Sequence, residues 1–157
     1  HDHVKRVVES LGGTMDFWRV RMRPGAPVAF GQIRGVPWIG LPGNPVSSMV
    51  TFELFARAAI RRMAGRKLPW RASREVRLAE PIKLGPRLQH FLRVIVSPGA
   101  AGLEARLTGP QGSGVLSSMA RANALLIVPE DVPELAAGAS ARAILLDESL
   151  HQSEPPF

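Results

Sequence analysis

The sequence predicts a partial α/β domain followed by a small all-β barrel or sandwich. The first 65 residues hold an amphipathic segment, three strand-like segments and a long helical segment. Beyond residue 72 the pattern changes to short apolar runs that Gly and Pro separate. Strands beside helices favour an α/β fold, whereas evenly spaced short strands favour a barrel or sandwich.

The chain opens on a predicted helix. Val4, Val7, Val8 and Leu11 recur at i, i+3, i+4 and i+7, which places them on one helix face, and Gly12-Gly13 supplies the stop signal. An α/β unit usually starts with a strand, and none precedes this helix. We therefore expect the chain to begin inside a domain.

Three strands and a second helix complete the predicted α/β part. Alternating and apolar segments at 17–22, 28–33 and 36–41 are typical of strands, and Pro- or Gly-containing turns separate them. Asn44 is a good N-cap with Pro45 in the first helical position, and Gly65 ends the helix.

The remainder of the chain predicts a β domain. Strand candidates lie at 75–78, 91–96, 103–107, 124–128 and 141–146, with one short helix at 114–122. We divide the chain into an α/β domain at 1–66, a linker at 67–72, a β domain at 73–148 and a disordered tail at 149–157.

The amino-acid composition limits the partners and the kinds of site that the protein can have. Twenty Lys and Arg against 13 Asp and Glu give a net charge of +7, which favours anionic partners, although an Arg-rich surface alone also explains it. The arginines are scattered and lack interleaved aromatic residues, so a nucleic-acid partner is disfavoured. No cysteine is present, which excludes thiolate zinc sites and cysteine nucleophiles. The longest apolar run is strand-sized, so we predict no membrane span.

One turn is a candidate anion site. The segment 40–48 lies where a predicted strand meets a helix N-terminus, whose free N–H groups and positive dipole favour an anion. A well-capped helix start explains the same residues equally well, and both alternatives stay open on physical grounds. The candidate ligand contacts there are Pro42, Gly43, Asn44, Pro45 and Ser47.

Several segments in order resemble the molybdopterin molybdenumtransferase family, the MoeA and gephyrin E-domain type. They are 17–20 (Phe-Trp-Arg-Val), 22–27 (Met-Arg-Pro-Gly-Ala-Pro), 30–31, 41–47 (Leu-Pro-Gly-Asn-Pro-Val-Ser) and 111–125. The resemblance covers the end of the family's third domain, which has a MogA-like molybdopterin-binding fold, and the whole of its fourth. It implies molybdenum cofactor biosynthesis, in which molybdate is inserted into adenylylated molybdopterin and AMP is released. It also implies Mg²⁺ and a homodimer. We expect a cytoplasmic location, with which the absence of cysteine is compatible. A non-catalytic anion- or peptide-binding module is the alternative.

The resemblance also names site residues. Asp2 would be catalytic and hold the divalent cation, although an Asp before an apolar helix face is also an ordinary N-cap. Arg23, Pro24 and Gly25 would bind the anion, but Ala26 stands where many relatives have a second lysine. Arg93 and Ser113 match polar positions of the fourth domain, and a water-facing arginine and a turn serine are their ordinary alternatives.

Overall fold

The computed structural model describes residues 2–85, 87–146, 151–152 and 155–157, and the side chains of 2, 17, 18, 151 and 152 lie outside that description. Within these ranges, no helix is long and apolar enough to cross a membrane.

The α/β part begins with a helix on a small antiparallel sheet. Helix α1 (Asp2–Ser10) leads into β1 (Gly13–Trp18), and β1 pairs with β3 (Ala29–Ile33), which in turn pairs with β4 (Val36–Gly40). The predicted helix is present. Of its four apolar residues only Val8 is buried, and the other three stay 45–55% exposed.

The first predicted strand, 17–22, is wrong in its position. Strand β1 ends at Trp18, and Arg19 takes a positive φ of 82°. The chain then turns, with the Val20 N–H donating to the Ala26 carbonyl at 2.9 Å. Within this turn lies the short strand β2 (Met22–Arg23), which pairs in parallel with β8 (Gln89–Gly99) of the other domain. Alternating Arg and apolar residues continue through the break, so periodicity did not reveal it.

The long predicted helix is present but not uniform. It consists of α2 (Pro45–Thr51), a π-helical segment (Phe52–Ala56) and α3 (Arg57–Met63). Glu53 of the π-helical segment pairs with Arg71 at 2.7 Å and with Arg57 at 3.7 Å. π-Helical turns often mark functional sites or local insertions.

The β domain is a barrel, which decides between the two predicted β architectures. Its strands are β6 (Ser73–Leu78), β8, β9 (Gly102–Leu107), β10 (Ala124–Val128) and β12 (Ser140–Leu145). The order β10-β12-β6-β9-β8 is closed by pairing of β10 with β8. A short β7 (Ile82–Lys83) pairs with β11 (Glu134–Leu135), and α4 (Leu116–Arg121) follows β9.

Two apolar cores hold the chain together. One fills the barrel and includes Val76, Val94 and Leu126. The other joins the two parts of the chain, because Met22, Val46, Val50 and Leu54 pack with barrel residues that include Phe91, Leu125 and Ile144. Strand β2 and the helix that begins at Pro45 are therefore fixed against the barrel.

The predicted disordered tail is wrong for the part of it that the structure describes. Strand β13 (His151–Gln152) pairs with β5 (Trp70–Arg71), inside the predicted linker. Phe157 contacts Phe91 and Phe55 edge to face, with ring centroids 5.5 and 6.0 Å apart. Disorder was predicted from the polar composition of residues 151–156, and that composition does not reflect the ring contacts that Phe157 makes. The domain boundaries themselves stay predictions.

Candidate functional site

A cleft of about 280 Å³ lies where β2 joins the barrel. Residues from both parts of the chain line it, so it is a junction site and not a feature of one domain. The polar and charged lining residues are Arg23, Lys83, His90, Arg93 and Gln111, and Pro24 and Gly112 also contribute.

The cleft is positively charged. Arg23, Lys83 and Arg93 come from three different strands, and the lining residues that the structure describes include no Asp or Glu. Cations gathered in a concave site without compensating carboxylates raise the local concentration of anions. The arrangement favours a small negatively charged group.

Arg93 is fully buried, with 0% of its surface exposed. Its Nε donates to Ser118 Oγ at 3.1 Å and its Nη2 to the Gly112 carbonyl at 3.0 Å. Burial lowers the pKa of Arg93 below its ordinary value. None of the ion pairs in the described part of the chain involves Arg93. The expected alternative of a water-facing strand arginine is therefore wrong.

Gln111 ties the loop after β9 to Arg93. Its Oε1 accepts from the Arg93 backbone N–H at 2.8 Å, and its Nε2 donates to the Arg93 carbonyl at 3.1 Å and to the Gly109 carbonyl at 2.9 Å. The side-chain amide thus supplies the acceptor for the Arg93 N–H and a further donor to its carbonyl, which also accepts from the Thr108 N–H at 3.1 Å. Gln111 opens the segment 111–125, but the sequence predicts no site role for it, because one glutamine in a Gly-rich segment carries no periodic signal.

Asn44 joins the helix start to the barrel. Its backbone has the extended N-cap conformation, and Pro45 follows at the first helical position, as predicted. The side chain makes no cap hydrogen bond; its Nδ2 donates to Ser113 Oγ at 3.3 Å. Oδ1 of Asn44 is buried without a hydrogen-bond partner among the described residues.

The turn at Arg23 packs directly on the helix that follows Asn44. A Cβ added to Gly25 would lie 2.4 Å from Thr51 Cγ2 and 3.5 Å from the Ser47 carbonyl oxygen. Gly25 also has a φ of +104°, so the position strongly favours glycine. Nη1 of Arg23 reaches toward Gly85, 3.4 Å from the position that its Cβ would take.

The predicted residues therefore fall into two groups. Arg23, Pro24 and Arg93 line the cleft, and Ser113 adjoins it next to Gly112. Asn44 and Ser47 of the segment 40–48 do not line the cleft but contact residues next to it. Asn44 donates to Ser113, and Ser47 packs against Gly25. Pro42 and Ser47 are buried, whereas Gly43 and Pro45 are exposed, and the cleft lining includes none of these four. The binding roles of all these residues stay predictions.

The metal role predicted for Asp2 falls on a side chain outside the described residues. Among the residues that are described, no group of three or more His, Cys, Asp or Glu is arranged to hold a metal ion. No chemical step is therefore assigned to a divalent cation.

Comparison with known proteins decides the family. A model described as "MoeA C-terminal region (domain IV)" matches residues 75–146, and one described as "Probable molybdopterin binding domain" matches residues 1–62. The chain belongs to the molybdopterin molybdenumtransferase family. The resemblance found in the sequence is thereby confirmed, as is the predicted fold of a partial α/β domain followed by a small β domain.

Relatives in this molybdopterin molybdenumtransferase family are much longer. Molybdopterin molybdenumtransferase 2 of Mycobacterium tuberculosis is 39% identical over 124 residues, which cover 79% of this chain and 30% of that protein. Gephyrin of Dictyostelium discoideum is 32% identical over 92% of this chain and 23% of its own length. The solved molybdopterin biosynthesis moeA protein of Pyrococcus horikoshii superposes with a TM-score of 0.75 at 28% identity, over 94% of this chain and 35% of that one. The chain thus spans about a third or less of these proteins.

Proposed function

We propose that this chain supplies the junction cleft of a molybdopterin molybdenumtransferase and that the cleft binds a negatively charged group of the substrates. The reaction is the insertion of molybdate into adenylylated molybdopterin with release of AMP. One observation supports the proposal: Arg93 is fully buried and Arg23 and Lys83 line the same cleft, without a carboxylate in the lining.

The size of the cleft limits what binds in it. At about 280 Å³ it is smaller than the roughly 300–1,000 Å³ typical of sites for drug-sized ligands. A tetrahedral oxyanion with a few waters fits this volume, and so does one phosphate group. A complete pterin nucleotide does not, so most of that substrate would lie outside the cleft.

The chemistry that these residues offer is electrostatic. The guanidinium groups of Arg23 and Arg93 are planar donors that match oxyanion geometry. By neutralising the bound anion they allow it to approach a second negatively charged substrate, which repulsion would otherwise oppose. The contacts of its guanidinium with Ser118 and Gly112 hold the Arg93 side chain in place before a ligand binds, so little free energy is lost to reorganisation.

The proposal has three further parts. They are a divalent cation such as Mg²⁺, a homodimer in the longer protein and a cytoplasmic location. The alternative of a non-catalytic anion- or peptide-binding module uses the same cleft but predicts no release of AMP by the longer protein.

Titration calorimetry with molybdate tests the proposal. We expect the chain to bind molybdate and Arg93→Met to weaken binding at least tenfold, because the buried guanidinium is removed. Arg77→Met is the matched control, since Arg77 is exposed and outside the cleft lining. Absence of molybdate binding by the unmodified chain, or equal loss in both variants, would refute the cleft as the site.

Two further measurements separate the alternatives. The enzyme proposal predicts that the longer protein releases AMP in a molybdate-dependent way and that Arg93→Met impairs this release. A nucleic-acid binder would bind DNA with an affinity that falls steeply with salt, and a flat titration at low salt excludes it.

A further inference from the structure

The short strand β7 places a lysine at the cleft. Ile82 is 4% exposed, belongs to the barrel core and borders the cleft at its buried side, and the next residue, Lys83, is exposed and lines the cleft with Arg23 and Arg93. Because successive strand residues point to opposite faces, burial of Ile82 directs Lys83 outward. The barrel core therefore fixes the side on which Lys83 lies.

The backbone under Lys83 is firmly held. Strand β7 pairs with β11 through Ile82 and Lys83, and the Leu84 N–H donates to the Pro133 carbonyl at 2.9 Å. Beyond this strand, Gly85 lies beside Nη1 of Arg23. Lys83 is thus a cation on a firmly held strand, on the side of the cleft that Arg23 approaches.

Strand β11 places a carboxylate across from Lys83. Glu134 is directly opposite Lys83 in the β7–β11 pair, and such cross-strand neighbours often form ion pairs. In the described part of the chain, however, the ion pairs within 4 Å do not include Lys83. The ammonium group is therefore available to a ligand.

We infer that Lys83 is a specificity-determining residue of the cleft, which favours divalent over monovalent tetrahedral oxyanions. The inference rests on the proposed function. The planar arginines provide directional hydrogen bonds that recognise the oxyanion shape, whereas a lysine ammonium is a compact point charge with little directional demand. Lys83 therefore contributes mainly through Coulomb attraction, which scales with the charge of the anion.

The size of the effect follows from the same scaling. At about 4 Å in a water-filled site, one cation changes the affinity for each charge of the anion by about fivefold. Removal of Lys83 is then expected to weaken a dianion by about 25-fold and a monoanion by about fivefold. The preference for the dianion should fall by about fivefold.

Molybdate and perrhenate are suitable probes, because both are tetrahedral oxyanions and they differ by one unit of charge. Affinities for both are measured by titration calorimetry on the whole chain and on Lys83→Met, with Lys83→Arg as the charge-conserving variant. Lys67→Met is the matched control, since it removes the same charge outside the cleft lining. Circular dichroism confirms that each variant is folded.

The expected result is a loss of molybdate preference in Lys83→Met alone, with the preference retained in Lys83→Arg and Lys67→Met. An equal loss for both anions in Lys83→Met, no loss for either, or the same change in Lys67→Met would overturn the inference. If the unmodified chain bound neither anion, the proposed function itself would fail. This outcome is distinguishable, because the others all require binding by the unmodified chain.

Discussion

The Nδ2 of Asn44 donates to Ser113 Oγ at 3.3 Å, and this contact links the start of the helix to the loop after β9 across 69 residues of sequence. Each residue was predicted as a separate ligand contact. The structure shows that they also contact each other, beside the cleft that Arg23, Arg93 and Gly112 line. The two parts of the chain thus meet at the candidate site through polar side chains as well as through the shared apolar core.

A double-mutant cycle on Asn44→Ala and Ser113→Ala measures this link. We expect each single change to lower the free energy of unfolding by about 1 kcal/mol and the double variant to lose about 0.5–1 kcal/mol less than the sum of the two, because one hydrogen bond is lost only once. Urea unfolding supplies the values. Strict additivity of the two changes would mean that the contact contributes nothing to stability.

Most of the fold could be predicted from the sequence. The helix at the chain start, strands β3 and β4, the long helix and the five barrel strands follow from apolar periodicity and from Gly and Pro turns. The break at Arg19 and the π-helical segment could not, because both depend on tertiary packing that overrides local pattern.

The site was predicted less completely. Motif resemblance indicated Arg23, Arg93, Asn44 and Ser113, but it gave no reason to expect Lys83 beside them. Strand β7 has only two residues, and its pairing partner β11 lies about 50 residues away, so no local pattern marks either. A long-range pairing of such short segments is decided by the closed barrel, not by the segments themselves.

Gly25→Ala tests whether the Arg23 turn needs its close contact with the helix. The change introduces a Cβ 2.4 Å from Thr51 Cγ2 at a φ of +104°. We expect the free energy of unfolding to fall by about 3 kcal/mol, of which the positive φ accounts for about 1–2 kcal/mol. Chemical denaturation measures the change, and calorimetry with molybdate should show a parallel loss of affinity.

Two variants separate the clash from the backbone strain. Gly35 also has a positive φ, of +79°, but nothing lies within 4 Å of an added Cβ, so Gly35→Ala should cost only the strain. In Gly25→Ala, the additional change Thr51→Ser removes Cγ2 but keeps the hydroxyl that donates to the Ser47 carbonyl at 2.8 Å. The double variant should recover part of the stability. Equal losses in Gly25→Ala and Gly35→Ala would count against the proposed packing.

The buried charge of Arg93 makes stability depend on pH in the alkaline range. Burial lowers the pKa of Arg93 below its ordinary value, so the folded chain binds this proton less tightly than the unfolded chain does. The cost of the charge is therefore fully present at neutral pH and is relieved as pH rises through the lowered pKa. Arg93→Met should abolish this contribution.

The measurement is the difference in unfolding free energy between the unmodified chain and Arg93→Met as a function of pH. We expect this difference to be flat around neutral pH and to shift in favour of the unmodified chain as pH rises into the alkaline range. A bound oxyanion stabilises the charged guanidinium and raises the pKa of Arg93. Added molybdate should therefore raise the pH at which this difference begins to shift. A shift that begins at the same pH with and without molybdate would argue against contact between molybdate and Arg93.

The chain end stabilises the junction between the two parts. Phe157 contacts Phe55 of the helical segment and Phe91 of the barrel, edge to face in both cases. Phe157→Ala should lower the free energy of unfolding by about 1–3 kcal/mol, since two aromatic pairs of this geometry are lost and each contributes about 0.5–1.5 kcal/mol beyond buried area. Phe52→Ala is a closely matched control, because both side chains are 39% exposed. Urea titrations in which the two variants lose the same amount would show that exposed area, and not the ring contacts, sets the effect.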